Sequence, residues 1–327
     1  MDYPHYEIIV VDGGSIDKTV EIARQYTNKI IIDSYVPPNW IGKSYACHLG
    51  AQRAVGDLLL FTDADTYHDP ASLKVYVAQL LGTESDLLSF LPYQRSTHWY
   101  ENLIGFYFFL SFLGGGPLDA INNPYDKSSF LAIGQYLLFR RESYEKIGGH
   151  AAVSSLIIED VGFAKICKEK HMKLYFMGSQ NLVYCRMYPD SFKQFVKGFH
   201  KTIWAGINVL PKWRVAFVVL WLIYSVVAPY ALITAVVISP TFLDISANLL
   251  AYMACAWMFW KYWRDKGDTK WYFYVMFPIP MAINITVILT SIVNGMRGKK
   301  FTWKSRSYEY VPLPSVSSKS EQKELEK

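Results

Sequence analysis

The chain has only four cysteines among its 327 residues, Cys47, Cys167, Cys185 and Cys255, and none of them stands in CxxC spacing or beside a histidine cluster. Zinc and disulfide frameworks are therefore unsupported, and a reduced, cytosol-facing domain is the natural expectation. The opening stretch MDYPHYEIIVV lacks a basic start and a long apolar run, so it is not expected to act as a signal peptide. Membrane targeting, if any, must come from spans further along. With 51% hydrophobic residues the composition also excludes disorder and a collagen-like chain.

Charge is scarce as well, at 19% of residues, and it is unevenly placed. Residues 1–185 hold 15 Lys or Arg against 20 Asp or Glu, whereas residues 186–327 hold 18 against 8. An acidic body is joined to a basic, apolar half, so binding of a polyanion by the whole surface is a poor explanation of the net +5. Nucleic acid is not an expected partner.

No charged residue interrupts Val215 to Ser239, a run long enough to cross a bilayer core of about 30 Å. Leu249 to Trp260 is shorter and rich in aromatics, and Trp271 to Val293 is again uncharged and long enough. For each the alternative is a buried core helix. Trp213, Trp221, Trp260, Trp263, Trp271 and Tyr272 at the ends of these segments fit an interfacial belt. Basic residues lie between the second and third segments (Lys261, Arg264, Lys266, Lys270) and after the third (Arg297, Lys299, Lys300, Lys304, Arg306). The positive-inside rule wants both groups in the cytoplasm, which three plain crossings do not allow. The expectation is two to four crossings over 215–295 with the third segment bent at Pro278, Pro229 being the other candidate break. Residues 296–327 would then be a basic cytoplasmic tail.

The first 185 residues read as α/β. Glu7 to Val11 is a β-branched run ending in the turn Asp12-Gly13-Gly14-Ser15, and residues 16–26 have helical spacing. A strand follows at 29–32, a helix at 44–55, and a buried strand at Asp57 to Phe61 that runs into Thr62-Asp63-Ala64-Asp65-Thr66. Such alternation implies a mostly parallel sheet with helices on both faces, whose ligands sit beyond the carboxyl ends of the strands. Asp12, Asp63 and Asp65 fall at such ends. Carboxylates there would repel an anionic substrate unless a hard divalent cation intervened, and Asp-x-Asp suits a cation that shares oxygens with a diphosphate. Alone, the pair is a weak signal. The buried strand before it, the Asp-rich turn upstream and Glu159-Asp160 downstream strengthen it.

These segments as a set resemble the inverting family 2 glycosyltransferases of GT-A fold over about residues 5–310. VVDGGSIDKT (10–19) is similar to the family's VVDDGSxDxT, TDADT (62–66) to its metal motif, and IIED (157–160) to its general-base motif. GKSYACHLGAQRAVGDLLLFTDADT, NNPYDKSSFLAIGQYLLFRRESYEKIGGH and FTWKSRSY look most like the membrane-bound branch that glycosylates lipids, which holds ceramide, hopanoid-type and carotenoid-acid (diaponeurosporenoate) glycosyltransferases. The resemblance implies that Asp12 contacts the nucleotide base, Asp63 the ribose or metal, and that Asp65 holds Mn²⁺ or Mg²⁺ on the diphosphate. Glu159 belongs to the nucleotide-sugar contacts, and Asp160 is the base that takes the acceptor proton while the acceptor oxygen attacks the anomeric carbon with inversion. UDP-glucose is the default donor by resemblance alone.

Two departures from the pattern stand out. Gly13 replaces the second Asp of the VDD turn, removing a hydrogen-bond acceptor near the nucleotide. Family members also place a strand and helix, usually with a further span, ahead of the strand that opens this chain. The expectation is an N-terminally truncated chain that lacks a central strand, leaves ladder groups of its neighbours unpaired and binds nucleotide-sugar weakly.

Other residues carry competing readings. Gly42-Lys43-Ser44 is no phosphate loop, because Pro37 stands where the earlier glycine belongs, and Lys43 is either a phosphate contact or a solvated helix start. His150 is either a turn or capping residue or, by resemblance, one between the sugar and acceptor sites. Gln135 is similar to a sugar-pocket edge. Met187 to Trp204 is a basic amphipathic helix within an interface segment at 186–214, with Phe192, Phe195, Phe199 and Ile203 on one face and Lys193, Lys197 and Lys201 at fourth positions. It either anchors to anionic lipid or closes over the diphosphate, with Lys197 and His200 on the acceptor or diphosphate side. The family's Gln-x-x-Arg-Trp motif is absent, which argues against polymer synthesis. Leu103 to Leu113 is too short to span and is read as an interface segment lining the acceptor entrance, with core packing as the alternative.

The resulting expectation is a multi-pass cell-membrane enzyme with its catalytic domain in the cytoplasm, transferring one sugar from a nucleotide-sugar to a lipid acceptor. The rivals are a catalytically dead scaffold and a polyisoprenyl-phosphate glycosyltransferase. A transporter is disfavoured because the first and third spans carry no charge.

Overall fold

The computed structural model describes residues 1–238, 241–298, 301–303 and 306–308. The N-terminal body is α/β, with elements in the order β1 (Val10–Asp12), α1 (Thr19–Ala23), β2 (Ile30–Ile32), α2 (Gly42–Arg53), β3 (Leu58–Thr62), β4 (Thr66–His68), α3 (Ser72–Gly82) and β5 (Leu87–Gln94). A long excursion then carries a 3₁₀ turn at Trp99–Leu103, α4 (Ile104–Gly115) and α5 (Leu118–Asn122). It returns as β6 (Tyr136–Arg140), α6 (Arg141–Lys146), α7 (Glu159–Glu169) and β7 (Leu174–Cys185).

The sheet is mixed, a correction to the mostly parallel one expected. Its order is β3-β6-β5-β7-β4, and only β5 and β7 run parallel within it. The reason is the excursion at 95–135, which brings β6 back antiparallel between β3 and β5. Among the described residues strand β1 pairs only with β2, in parallel, as a two-stranded sheet of its own. Among the described residues, β3 has a ladder partner on one side only, β6. Glu7 ties the start of the chain to the α2–β3 connection by accepting from the Val55 amide (2.7 Å) and pairing with Lys29 (2.5 Å).

β5 is buried along nearly its whole length, as its apolar run LLSFL demands, and its two faces serve two cores. On one side Tyr76, Phe90 and Tyr136 stack beneath α3. On the other, Phe139, Phe163 and Tyr144 pack against α7 and α6.

The C-terminal half begins with α8 (Phe192–Val209), started by Ser191, whose hydroxyl accepts from the Gln194 amide at 3.2 Å. The helices α9 (Lys212–Val237), α10 (Phe242–Trp263) and α12 (Pro278–Met296) are long and apolar enough to cross a membrane. The second is longer than its apolar run suggests. The expected bend at Pro278 is instead a break between the short helix α11 (Trp271–Val275) and α12, where the prolines sit in the first turn and no intrahelical N–H is required of them. A last hairpin joins β8 (Phe301–Trp303) to β9 (Arg306–Tyr308). The rest of the basic tail, with Lys299, Lys300 and Lys304, lies outside the described residues.

Helix α4 takes the core-packing alternative. Phe106 and Phe109 pack on Phe259 of α10, and Phe109 also meets Trp221 of α9. Gly105 lets α4 approach α10, since a Cβ there would lie 2.8 Å from the Trp263 indole. The apolar helices and the α/β body thus share one core.

Candidate active site

Three chain ends converge at one edge of the sheet. β3 ends at Thr62 opposite Tyr136, the first residue of antiparallel β6, so the TDADT turn and the loop before β6 lie side by side. The Thr62 hydroxyl, 3.1 Å from the Gln135 carbonyl and 2.7 Å from the Thr66 hydroxyl, ties the two together. Thr66 in turn donates to the Asp63 carbonyl at 2.7 Å, which fixes the turn. Helix α7 points its N-terminus at the same place, with Glu159 and Asp160 in its first turn, where the helix dipole favours negative charge. The Gly134 amide donates to Asp160 Oδ2 (2.7 Å) and the Val161 amide to Oδ1 (2.8 Å). From the first turn of α2, the Lys43 ammonium bridges Asp63 (2.7 Å) and Glu159 (2.9 Å).

Burial and the adjacent Glu159 charge push the Asp160 carboxyl up to about 7, against the opposing pull of Lys43 and two amide hydrogen bonds. A carboxylate poised there is matched to general-base work near neutral pH. Burial acts against the Lys43 charge, but Asp63 and Glu159 outweigh it and hold the ammonium well above its ordinary range. Asp65 is raised by burial and by Asp63.

Helix α8 lies over this cluster and presents Lys201, whose charge interacts with Glu159, Lys43, Asp63 and Asp160 while burial lowers its pKa to about 8. Lys201 is the cation of α8 that interacts with these carboxylates, whereas the residues expected on the acceptor or diphosphate side were Lys197 and His200. Lys197 is exposed, and His200 is turned towards α12, 2.9 Å from the Thr290 hydroxyl. The stripe of three lysines at every fourth position contained the signal, but only the packing of Phe195 and Phe199 fixes which lysine faces the carboxylates. Tyr107 and Tyr188 complete the wall, Tyr107 donating to the Thr202 hydroxyl at 2.9 Å and feeling the Asp160 charge.

The other expected residues divide. Asp12 is buried and its carboxylate is engaged by its own turn, accepting from the amides of Gly14 (3.1 Å) and Ser15 (2.9 Å) and from the Ser15 hydroxyl. Gln135 is buried behind Asp65, with its amide accepting from Gln94 (3.1 Å) and donating to Cys185 (3.2 Å), whose thiol also hydrogen-bonds Asp65. His150 takes its turn-and-packing reading. It is sealed among Phe61, Phe163 and Tyr144, 2.8 Å from the Tyr144 hydroxyl, and burial pushes its pKa down to about 3.

Gly134 escaped the sequence reading. A Cβ there would lie 3.0 Å from Lys43 Nζ, 3.2 Å from Asp160 Oδ2 and 3.4 Å from Glu159 Oε1. Gly134→Ala should therefore push the Lys43 ammonium and the Asp160 carboxylate aside by a few tenths of an ångström and lower turnover by about tenfold, less than the cost of ångström-scale misplacement. Steady-state kinetics beside a thermal melt checks this, since a fall in melting temperature matching the loss of turnover would assign the glycine to folding instead.

Among the described residues no three His, Cys, Asp or Glu side chains are arranged to hold a metal by themselves. Asp63 and Asp65 fit the other kind of site, in which one or two carboxylates share a cation with substrate oxygens and water.

Residues 1–148 match the family model described as Glycosyl transferase family 2. The 4,4'-diaponeurosporenoate glycosyltransferase of Staphylococcus haemolyticus is 29% identical over 66% of this chain, and the match spans 58% of that relative's length. The enzyme of the same name from Staphylococcus aureus strain MRSA252 is 25% identical over 92% of this chain and 80% of its own. Among solved structures, S. aureus TarS 1-349 in complex with UDP-GlcNAc aligns at 15% identity with a TM-score of 0.41, covering 95% of this chain and 92% of that one. The family 2 match thus falls on the α/β body, through α6.

Proposed function

We propose that the protein transfers one sugar from a nucleotide-sugar, UDP-glucose by default, to a lipid acceptor at the cytoplasmic face of a membrane, with inversion. The observation that carries this reading is Asp160. It sits where the loop before β6, α2 and α8 meet, holds two backbone hydrogen bonds, and titrates near neutrality. Asp160 takes the proton of the attacking acceptor oxygen as the anomeric carbon is displaced from the nucleoside diphosphate, and no covalent sugar intermediate is required. Lys43 and Lys201 offer positive charge to the departing diphosphate. A divalent cation held by Asp63 and Asp65 would supply further stabilisation of that charge. The basic loop between α10 and α11 supports the cytoplasmic placement.

Asp160 favours a hydroxyl acceptor, because a carboxylic acid is already ionised near neutral pH and needs no base. The relatives' name favours the second reading, a carotenoid-like acid. The full chain in lipid vesicles with radiolabelled UDP-glucose tests the proposal. Label should pass into the organic extract, with a lipid gaining the mass of one hexose residue. Donor binding without transfer to any lipid, from chains with and without added N-terminal residues, would instead support the scaffold reading.

A further inference from the structure

Helix α8 is held between two partners. On one side it packs on the catalytic body. The Tyr107 hydroxyl donates to that of Thr202 (2.9 Å), and Gly198 makes room for the Tyr188 ring, which would lie 2.2 Å from a Cβ there. On the other side it meets α12, which has the length and composition of a membrane span. His200 Nε2 is 2.9 Å from the Thr290 hydroxyl, and the Ser291 hydroxyl donates to the His200 carbonyl at 2.6 Å. The Trp204 indole fills a notch at Gly295, 2.2 Å from where a Cβ would stand.

His200 and Trp204 are one turn apart on α8, as Ser291 and Gly295 are on α12. The two helices therefore lie side by side in the same direction. Their register is fixed, because a slide of one turn, about 5.4 Å, would separate both pairs at once. Anchoring in a bilayer asks only for apolar length. The two hydroxyls and the notch on α12 serve α8.

Lys201 stands on the edge between these two sides. At about 3.6 residues per turn, Phe195, Phe199 and Thr202 share one face of α8, and His200 and Trp204 share the opposite one. From the edge between them the Lys201 charge reaches Glu159, Asp63 and Asp160. A helix resting on one face alone can roll about it. A roll of roughly 20° moves groups at the side-chain radius of about 5–6 Å by about 2 Å, enough to break a hydrogen bond. The second contact, on the far face, prevents that roll.

We propose that α12 is a working part of the donor site, holding Lys201 over the carboxylate cluster through the positioning residues His200 and Trp204. The inference rests on the reading that Lys201 meets the donor diphosphate, and it says what places the lysine there.

The test uses the full chain in detergent micelles, with UDP affinity read by calorimetry beside a thermal melt. Lys201→Met should weaken UDP about tenfold, the scale of one charge-assisted hydrogen bond. Gly295→Ala pushes the Trp204 indole off by about 1 Å to reach ordinary contact, and Thr290→Val removes the partner of His200 at nearly unchanged volume. Each should weaken UDP roughly threefold to tenfold, as misplacement of a binding group does. In the Lys201→Met background both should change the affinity by less than about twofold, because contacts that act only through Lys201 are not additive with its loss. Adding Trp204→Leu to Gly295→Ala restores room at the notch and should recover most of the affinity. Leu289→Ala, on an exposed side of α12, should leave it unchanged. Additive losses in both backgrounds, with a matching fall in melting temperature, would assign the contacts to folding and overturn the proposal. Wild-type affinity in both α12 variants beside a weakened Lys201→Met also overturns it, while leaving the role of Lys201 intact. Wild-type affinity in Lys201→Met removes the diphosphate reading of that lysine and the proposal with it, so the two failures are distinguishable.

Discussion

Asp160→Asn should lower kcat by about 10²- to 10⁴-fold, the range for losing a positioned general base, with donor KM moving only a few-fold. The wild-type protein should show an acid limb in kcat/KM near pH 7, active above it and inactive below. Burial sets this limb first, followed by Glu159 on the same helix, Lys43 on α2 and the Val161 and Gly134 amides. A carboxylic acid acceptor predicts the opposite pattern, a small effect of the substitution and no limb at pH 7. One pH series therefore separates both acceptor classes. Stability carries an independent signature. The folded Asp160 binds its proton more tightly than the unfolded chain does. The stabilisation from that proton is therefore full below the unfolded value near 4 and is lost as pH rises to about 7. Asn does not titrate, so the melting temperature of the variant relative to wild type should rise between pH 5 and pH 8. A constant difference would show that Asp160 is not perturbed by its site.

The sequence made the acidic half of this site legible because its signal is local. A buried apolar strand running straight into Asp63 and Asp65, and an acidic pair at the head of a helix, place those residues without knowledge of the fold. Lys43, Lys201 and Gly134 depend on distant elements meeting. Lys43 needed the first turn of α2 to lie beside α7, and Gly134 needed β6 to return antiparallel to β3, which strand and helix alternation misread as a parallel sheet. His150 was open to two readings because a turn histidine looks alike whether it faces a ligand or, as here, Tyr144 and Phe61. The segment at Leu103–Leu113 shows the same limit, since a short, wholly apolar helix suits an interface as well as a core. Only its ring contacts with α9 and α10 decide it.

Lys43→Met should raise donor KM by about tenfold to a hundredfold, the scale of a lost charge-assisted contact. In the free protein Lys43 neutralises Asp63 and Glu159, and both would otherwise face the diphosphate as bare carboxylates. Its removal thus costs twice, through the lost cation and through the exposed repulsion. The substitution should also act at a distance of one residue. Lys43 lowers the Asp160 pKa and Glu159 raises it, so Lys43→Met should move the acid limb of kcat/KM above that of wild type, and Glu159→Gln should move it below. Opposite displacements from two neighbours that share one salt bridge are what a single electrostatic cluster requires. Shifts in the same direction, or a limb indifferent to both, would mean that the titrating group is elsewhere and that Asp160 has lost its claim to be the base. Lys43→Arg keeps the charge but not the compact fit between Asp63, Glu159 and Gly134. It should leave the limb near its wild-type position while still weakening the donor, which separates the field of Lys43 from its contact.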